Sequence, residues 1–567
     1  MVIMLAAAGT LLSFKMHVIL FYKKTKRYDL IIIIYNSSSG CEASSRNLTC
    51  IIYNEIITPE WRVHVKKYLL GIDIGTSACK IAVFNKQGEV IASGNGDYPV
   101  YYPKPGYAEQ NPDEWWESIY RTIKTTLQKA DIDNKDIAGI GVDGQSWSAI
   151  AIDENGKVLT NTPIWMDTRA DSICKRLNQE IGGEEIFNLA GNSLQSSYTT
   201  AKIIWYKENL PEVYEKIYKI LQSNSFIVYR LTGILSQEKS QGYGLHCFDM
   251  RTGTWNEEMC SRLGIPFDFL PDIYDCHQVV GYVTEEAAAL SGLAAGTPVV
   301  AGGLDAACGT LGAGVIHPYE TQEQGGQAGG MSICLDEYSA DPSLILSFHV
   351  VPNQWLLQGG TTGGGGVMRW FEKEFADFER EEGKRLGKSS LALLDDAAAN
   401  INPGSDGMVF LPYMAGERSP IWDVNAKGVY YGLDYSKTKG HFVRAAMEGV
   451  AYSLKHNLEV AAAAGAQVGE LRAMGGAANS LLWTQMKSDI TGKPIAVPSS
   501  DTATTLGAVI LAGVGVGMYR DFEEAVEMTV KVRRYHKPNM ENHEIYQKNY
   551  ETYLELYNNL KNTMKER

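Results

Sequence analysis

The sequence predicts an α/β protein with two lobes, each a mixed β-sheet covered by helices. Residues 66 to 100 read as three strands separated by a glycine turn and a polar turn, and a helix and another strand follow them. The second half repeats this order more loosely from residue 319 onward. In both halves a glycine-rich turn joins two extended segments, which predicts two lobes facing one cleft.

The first lobe is predicted over residues 65–314. Its strands lie in "KKYLLGIDIGTSACKIAVFNKQGEVIASGNGDYPV" and in "DIAGIGVDGQSWSAIAID". Between them, "PDEWWESIYRTIKTTLQKA" opens with proline and acids, as helices do. Its apolar residues recur at helical spacing, at Trp116, Ile119, Ile123 and Leu127.

The second lobe is predicted over residues 315–567. "YETQEQGGQAGGMSICLDE" and "LILSFHVVPNQWLLQGG" supply strands, and "LRAMGGAANSLLWTQMKSDITGKPIAVP" reads as strand, glycine turn, helix and strand. A C-terminal helix carries one face that we expect to pack on the core, formed by Tyr546, Tyr550, Tyr553, Tyr557 and Leu560.

Residues 1–64 differ from the rest of the chain. Their apolar runs lack helical or strand periodicity and are too short to span a bilayer. The basic patch "YKKTKRYD" follows the first apolar run, whereas a signal peptide carries its positive charge before it. We expect this segment to be a non-native or disordered extension, translated upstream of a start codon at Val65.

Composition excludes some classes of protein. The formal net charge is −14, and no stretch of residues 65–567 concentrates lysine and arginine, which argues against nucleic-acid binding. The nine cysteines form no CxxC pair, so neither a zinc ribbon nor a redox centre is indicated. We expect reduced cysteines, a cytoplasmic location and no membrane partner.

"GIDIGTSACK" predicts a first phosphate loop. Asp73 ends an apolar strand, where a carboxylate can hold Mg²⁺ directly or through water. Glycine lets the backbone approach a phosphate closely, and hydroxyl and amide groups can donate to its oxygens. The candidate nucleotide-binding residues are Gly75, Thr76, Ser77 and Lys80. An ordinary hairpin turn is the alternative for this stretch alone.

Further glycine runs strengthen the phosphate interpretation. "GGQAGG", "GGTTGGGG" and "GGAANS" are each flanked by apolar strand or helix sequence, unlike flexible linkers. Ordering glycine costs conformational entropy, so their repeated use favours backbone approach to a nucleotide. The candidate residues are Gly326, Gln327, Gly364, Gly365, Gly475, Gly476 and Ser480.

Asp305 stands alone among small residues in "VVAGGLDAACGTLGAG". A kinase that acts on a hydroxyl needs a base for the proton, and small neighbours leave room for acceptor and nucleotide. An N-cap of the following helix explains the same residue equally well. The residues alone leave both interpretations open.

These segments resemble the FGGY family of carbohydrate kinases from about residue 66 to 560. "GIDIGTS" is similar to the family's first phosphate loop, and "AGGLDAACGTLGAG" to the segment that carries its catalytic aspartate. "SYTTAKIIWYKEN" and "GVYYGLDYSKTKGHFVRAAMEGVAYSL" fit its two signatures. The resemblance implies two actin-like (ribonuclease H-like) lobes, ATP with Mg²⁺ in the cleft, and Asp305 as catalytic base.

Within the family, "KPGYAEQNPDEWW", "TPIWMDTRA" and "FLPYMAGERSP" resemble the xylulokinases. This places Asp167 and Arg169 on the sugar side, together with Gln145. Three positions depart from the usual pattern. Ser146 and Trp147 replace a Met-His pair beside the sugar, Ala306 replaces a polar amide, and Gln327 replaces a threonine of the second phosphate loop.

The resemblance implies phosphorylation of a terminal hydroxyl of a ketopentose, with D-xylulose giving D-xylulose 5-phosphate. Another ketose or polyol, such as ribulose, is the alternative substrate, because Trp147 could stack on a different sugar face. A catalytically silent sugar or nucleotide sensor is the alternative class. Retention of Asp73, Lys80 and Asp305 argues against that sensor. A homodimer is expected from the family alone.

Overall fold

A computed structural model describes residues 17–24, 27–34, 66–499 and 502–565. The chain divides into two compact units, Met1–Val65 and Lys66–Arg567. In the first unit, strands His17–Lys24 and Arg27–Ile34 pair as an antiparallel hairpin, which the sequence analysis did not predict. The rest of the proposed extension lies outside the described residues, and its non-native origin stays a prediction.

The second unit contains two seven-stranded mixed sheets. The strands of the first sheet are β1 Tyr68–Ile74, β2 Ala78–Asn85, β3 Val90–Asp97, β4 Ile137–Gly144, β5 Val279–Tyr282, β6 Pro298–Val300 and β7 Gly303–Leu304. Their order is β5-β6-β4-β1-β2-β3, and β7 also pairs with β4. The meander β1–β3 is antiparallel, whereas β1, β6 and β7 are all parallel to β4.

The second sheet repeats this arrangement. Its strands are β8 Glu320–Gly325, β9 Gly329–Leu335, β10 Ile345–Phe348, β11 Trp355–Thr361, β12 Glu470–Met474, β13 Ile495–Pro498 and β14 Val532–His536. Their order is β10-β11-β9-β8-β12-β13-β14. As in the first sheet, an antiparallel hairpin (β8–β9) lies beside a parallel pair (β8–β12). The predicted two-lobed α/β organisation is confirmed.

Seven helices cover these sheets or connect them. They are α1 Pro112–Ala130, α2 Asp305–Gly312, α3 Gly365–Phe375, α4 Lys439–Ala463, α5 Leu481–Thr491, α6 Ala503–Gly515 and α7 Met540–Lys565. Helix α1 begins as predicted: the Asn111 side chain accepts a hydrogen bond from the Asp113 N–H, and proline occupies the first turn. Its apolar face and the tyrosines Tyr546, Tyr550 and Tyr553 of α7 are buried.

Shorter elements fill the loops of both lobes. The α-helices are Asp171–Leu177, Gly183–Ala190, Thr199–Asn209, Pro211–Tyr214, Ser223–Thr232, Lys239–Gly242, Glu257–Leu263, Glu285–Ser291, Asp377–Leu386, Ser390–Ala399 and Phe522–Thr529. The strands are Glu109–Gln110, Ile150–Ile152, Thr162–Pro163, Lys219–Leu221, Ser236–Glu238, Phe248–Asp249, Thr254–Trp255, Asp272–Tyr274, Val409–Leu411 and Val429–Tyr431.

Helix α6 follows the second lobe's strand β13 in the chain but packs on β1 and β4 of the first sheet and on α2. Glycines make this close packing possible. A Cβ added to Gly141 of β4 would lie 1.9 Å from the carbonyl oxygen of Ala508, and one added to Gly507 would lie 1.9 Å from that of Cys308. No side chain fits at either position, so the backbones touch directly.

We predict that Gly507→Ala lowers the free energy of unfolding by about 2–3 kcal/mol, because the new methyl group must push α2 away from α6. Gly309→Ala in α2 is the matched control. There the added Cβ would meet only side-chain atoms, at 3.5–3.6 Å, which is ordinary van der Waals distance. Thermal unfolding of both variants checks the prediction, and equal melting temperatures would contradict it.

Candidate active site

Three aspartates meet where neighbouring parallel strands of the first sheet end. Asp73 of β1 lies directly opposite Asp143 of β4 in the strand register. Leu304 of β7 pairs with Gly144, so Asp305 follows one residue beyond that pair. The carboxyl ends of parallel strands are where α/β proteins bind ligands.

Burial raises the pKa of all three carboxyl groups, and repulsion from neighbouring carboxylates adds to the effect for Asp143 and Asp305. For Asp73 burial dominates and raises the pKa to about 6, against the opposing effects of contact with Asp143 and of the Lys80 charge. For Asp305 burial, followed by the charge of Asp73, raises the pKa to about 7. The pKa of Asp143 is also raised well above its usual range, because it is inaccessible to solvent and faces both other carboxylates.

Asp305 is the first residue of α2, and Leu304 occupies the N-cap position. Its Oδ1 accepts a hydrogen bond at 2.6 Å from the N–H of the adjacent Ala306. The capping bond that an N-cap side chain makes with the second or third helical N–H is absent at this helix, within the described chain. The carboxylate therefore remains available to the cleft.

A cavity of about 470 Å³ opens over Asp305 and is lined by both lobes. From the first lobe it includes Thr76, Ser146, Trp147, Trp165, Tyr243, Leu304 and Ala306. From the second lobe it includes Gln322, Gln324, Gln327, Ala328, Gly329, Gly330, Met331, Ser332, Ile345, Gln358, Gly359, Gly360 and Arg418. Small and amide-bearing residues predominate, which suits a polar acceptor.

Trp147 forms an aromatic wall of this cavity. Its ring stacks on Tyr198 with centroids 4.2 Å apart and meets Tyr243 edge-on at 5.8 Å. Its backbone has φ of 63°, a left-handed conformation that is uncommon for a residue with a side chain. The fully buried Lys202 holds the loop in place, because its Nζ donates to the carbonyls of Trp147, Ile164 and Ser197.

The first phosphate loop is a tight turn between β1 and β2. The Gly75 N–H donates to the carbonyl of Ala78 at 3.1 Å, and a Cβ on Gly75 would lie 2.9 Å from that oxygen. Thr76 Oγ1 accepts a hydrogen bond from Trp165 Nε1 at 3.0 Å, which leaves its own proton free to donate. Ser77 is exposed, and Lys80 lies opposite Asp73 on β2.

The glycine segments of the second lobe pack on one another. The N–H groups of Gly365 and Gly366 donate to the carbonyls of Gly326 and Gln327, at 2.7 and 3.0 Å. A Cβ on Gly364 would lie 2.3 Å from the carbonyl carbon of Ala328. A Cβ added to Gly475, whose φ is 83°, would likewise collide with the backbone of Gly325. The predicted segments thus form one continuous glycine floor.

A second cavity, of about 420 Å³, adjoins this floor at Gly325 and Gly365. Helices α3, α4 and α5 contribute to its walls, together with residues 389–395 and 476–480. Its lining includes the predicted Gly476 and Ser480, and Ser480 also caps α5 by accepting from the Trp483 N–H. Arg369, another lining residue, donates to Gln327 Oε1.

Asp167 and Arg169 lie elsewhere. Both are buried and bonded to each other, Arg169 Nε lying 2.9 Å from both Asp167 oxygens. Arg169 also pairs with Glu109 at 2.7 Å, and neither Asp167 nor Arg169 lines the cavity that holds Asp305. Gln145 is buried as well, and its Nε2 donates to Gln110 Oε1. These bonds brace the loops that carry Trp147 and Thr76.

The sequence analysis missed two residues of the site. Asp143 belongs to "GVDGQSWS", which repeats the Asp at the end of an apolar strand seen in "GIDIGTS", so a signal was present. Arg418 enters the cavity from a loop after Val409–Leu411, and its guanidinium packs against Gly360. Nothing in its local sequence indicated that contact.

Two lobes, a glycine floor and an acid beneath a polar cavity suit an enzyme that transfers a phosphoryl group to a hydroxyl. The chain matches the "FGGY family of carbohydrate kinases" N-terminal domain over residues 68–312 and its C-terminal domain over residues 330–516. It therefore belongs to that family. None of the described helices combines the length and apolar composition that a membrane span requires.

Relatives named for different substrates match over nearly the whole second unit. A xylulose kinase of Staphylococcus epidermidis is 33% identical over 502 residues, covering 88% of this chain and 98% of the relative. A gluconokinase of Bacillus licheniformis is 31% identical, covering 87% and 96%. The solved xylulose kinase of Rhodospirillum rubrum has a TM-score of 0.81 at 28% identity, covering 88% and 100%.

We predict that Asp305→Asn lowers kcat by at least about a hundredfold, because the amide cannot accept the proton of the acceptor hydroxyl. Nucleotide affinity should stay within about twofold of wild type, since the glycine floor is unchanged. Steady-state kinetics and nucleotide titration check both parts. A kcat close to wild type would return Asp305 to a purely structural role.

The raised pKa of Asp305 predicts a pH dependence. A base must be ionised to act, so kcat/KM for the acceptor should fall about tenfold per pH unit below about pH 7 and level off above it. The measurement is kcat/KM between pH 5.5 and 8.5. A flat profile down to pH 5.5 would contradict the prediction, and the residual rate of Asp305→Asn should lack this limb.

Proposed function

We propose that the protein transfers the γ-phosphoryl group of ATP to a terminal hydroxyl of a ketopentose, with D-xylulose as the first candidate. The observation that carries the proposal is the position of Asp305, which lies beneath a polar cavity between the aromatic wall at Trp147 and the glycine floor. The xylulose kinases among the relatives support the choice of sugar.

The site residues divide the reaction between them. Asp305 accepts the proton of the acceptor hydroxyl, whose oxygen forms the new bond to phosphorus while the bond between phosphorus and the bridging oxygen of ADP breaks. Thr76 Oγ and the backbone N–H groups of both phosphate loops donate to phosphate oxygens. Mg²⁺, when bound, neutralises negative charge on the phosphates, and Asp73 is the predicted residue for it.

The 420 Å³ cavity suits the nucleoside of ATP. Its apolar members, Met368, Met447 and Trp483, can cover a flat base, and Ser480, Asn479 and Asp395 supply polar groups at its edge. The glycine floor joins this cavity to the one that holds Asp305, so the phosphates would lie along the glycines.

The sugar would lie against Trp147. A pyranose or open-chain sugar presents C–H groups that pack on an aromatic face such as that of Trp147. Ser146 and Gln358 line the same cavity and supply polar groups.

A sugar acid is the second candidate acceptor, and Arg418 favours it. Its guanidinium makes one long hydrogen bond, 3.4 Å to the Thr361 carbonyl. Burial lowers the pKa of Arg418 and the charge of the adjacent Glu417 opposes this effect, but no ion pair to the guanidinium is found among the described residues. A substrate carboxylate would supply one, and gluconokinases are among the relatives.

An acceptor panel tests the proposal: ADP release is measured with D-xylulose, ribulose, polyols and gluconate at saturating Mg-ATP. We expect the highest kcat/KM with D-xylulose. A higher kcat/KM with gluconate, ribulose or a polyol would change the proposed acceptor but leave the proposed phosphoryl transfer in place. No acceptor-stimulated turnover with any compound would favour the silent sensor.

Arg418→Ala separates the two acceptor classes in the same assay. If Arg418 binds a substrate carboxylate, the variant loses at least about tenfold in kcat/KM for gluconate and much less for D-xylulose. Equal losses for both acceptors would assign Arg418 to the phosphoryl group instead.

A further inference from the structure

We propose that Asp143 is a second carboxylate ligand, beside Asp73, for the divalent cation that accompanies the nucleotide. The inference rests on the proposed function and deepens it, because it assigns a binding role to a residue outside the predicted site. Two observations support the proposal: the strand register that places Asp143 opposite Asp73, and the scarcity of hydrogen-bond donors around the Asp143 carboxyl group.

Strand register fixes the position of Asp143. In parallel strands, directly opposed residues lie on the same face of the sheet, one strand spacing of about 4.8 Å apart. Asp73 and Asp143 are such a pair, and the carboxyl groups contact each other. Lys80, opposite Asp73 on the other side, contributes a single positive charge toward both.

The hydrogen-bond contact of Asp143 in the described part of the chain is confined to the carboxyl group of Asp73, although the residue is fully buried. Other fully buried acids here are bonded. Glu238 accepts from the backbone and hydroxyl of Ser240, at 2.5 and 2.6 Å. Glu448 accepts from Ser405 Oγ and Arg444, both at 2.8 Å. Asp143 is thus unlike a structural acid.

A divalent cation accounts for this arrangement. In their ionised forms two buried carboxylates in contact repel each other, and a cation bound by both relieves that repulsion. Mg²⁺ takes oxygen ligands only, typically one or two carboxylates completed by water and substrate phosphates. The described residues hold no group of three or more acidic, histidine or cysteine side chains arranged to bind a metal ion by themselves, so phosphates and water would complete the shell.

Mn²⁺ titration of the enzyme–ADP complex, followed by electron paramagnetic resonance, tests the proposal without turnover. We expect Asp143→Asn to weaken Mn²⁺ binding at least about tenfold, as Asp73→Asn should. Asp97→Asn is the matched control, because Asp97 is an exposed residue at the end of β3 in the same sheet, and its Mn²⁺ affinity should equal wild type.

Thermal unfolding supplies the second readout. Without metal and nucleotide, Asp143→Asn should melt at a higher temperature than wild type, because it removes a buried like charge, and should gain less from added Mg-ADP. Unchanged Mn²⁺ affinity in Asp143→Asn, with a weakened Asp73→Asn, overturns the proposal. The acceptor panel measures turnover and does not depend on the Mn²⁺ titration. If no acceptor stimulated ADP release but Asp143→Asn still weakened Mn²⁺ binding, the result would count against the proposed function and not against the role of Asp143.

Discussion

The close packing of α6 against the first sheet and α2 is the constraint on which the active site depends. Helix α2 begins with Asp305, and α6 comes from the part of the chain that builds the second lobe. Gly141 and Gly507 let backbone meet backbone at this junction, so a shift of α6 must move α2 with it. Asp305, the proposed base, is therefore positioned by residues about 200 positions later in the chain.

Burial of three carboxyl groups close together beside α2 destabilises the protein when no ligand is bound. Three carboxylates with raised pKa values meet at one sheet edge, and Lys80 is the nearest positive charge to two of them. Binding sites whose charged groups are placed to meet a ligand commonly lower the stability of the ligand-free protein in this way. A cationic ligand that relieves the repulsion gains affinity from it, which couples nucleotide binding to stability.

Much of the fold was predictable from local sequence. The order of strands and helices, the capped start of α1 and the buried tyrosines of α7 follow from periodicity and helix-start signals. The glycine segments were singled out by the strand and helix sequence that flanks them, and the base role proposed for Asp305 came from the family resemblance. Asp143 and Arg418 were missed because their roles arise from strand register and from a contact between distant loops. Asp167 and Arg169 pair with each other in the structure, and their contact with the sugar stays a prediction.

Helix α6 also bears on the order in which the polypeptide is made. The sheet face that it covers includes β1 and β4, which leave the ribosome early. That face has no cover until residue 515 has emerged, and a chain growing at about 5–20 residues per second reaches that point only after many seconds. An apolar β surface exposed for so long is a binding site for chaperones and a starting point for aggregation. The first lobe is therefore unsuited to independent expression.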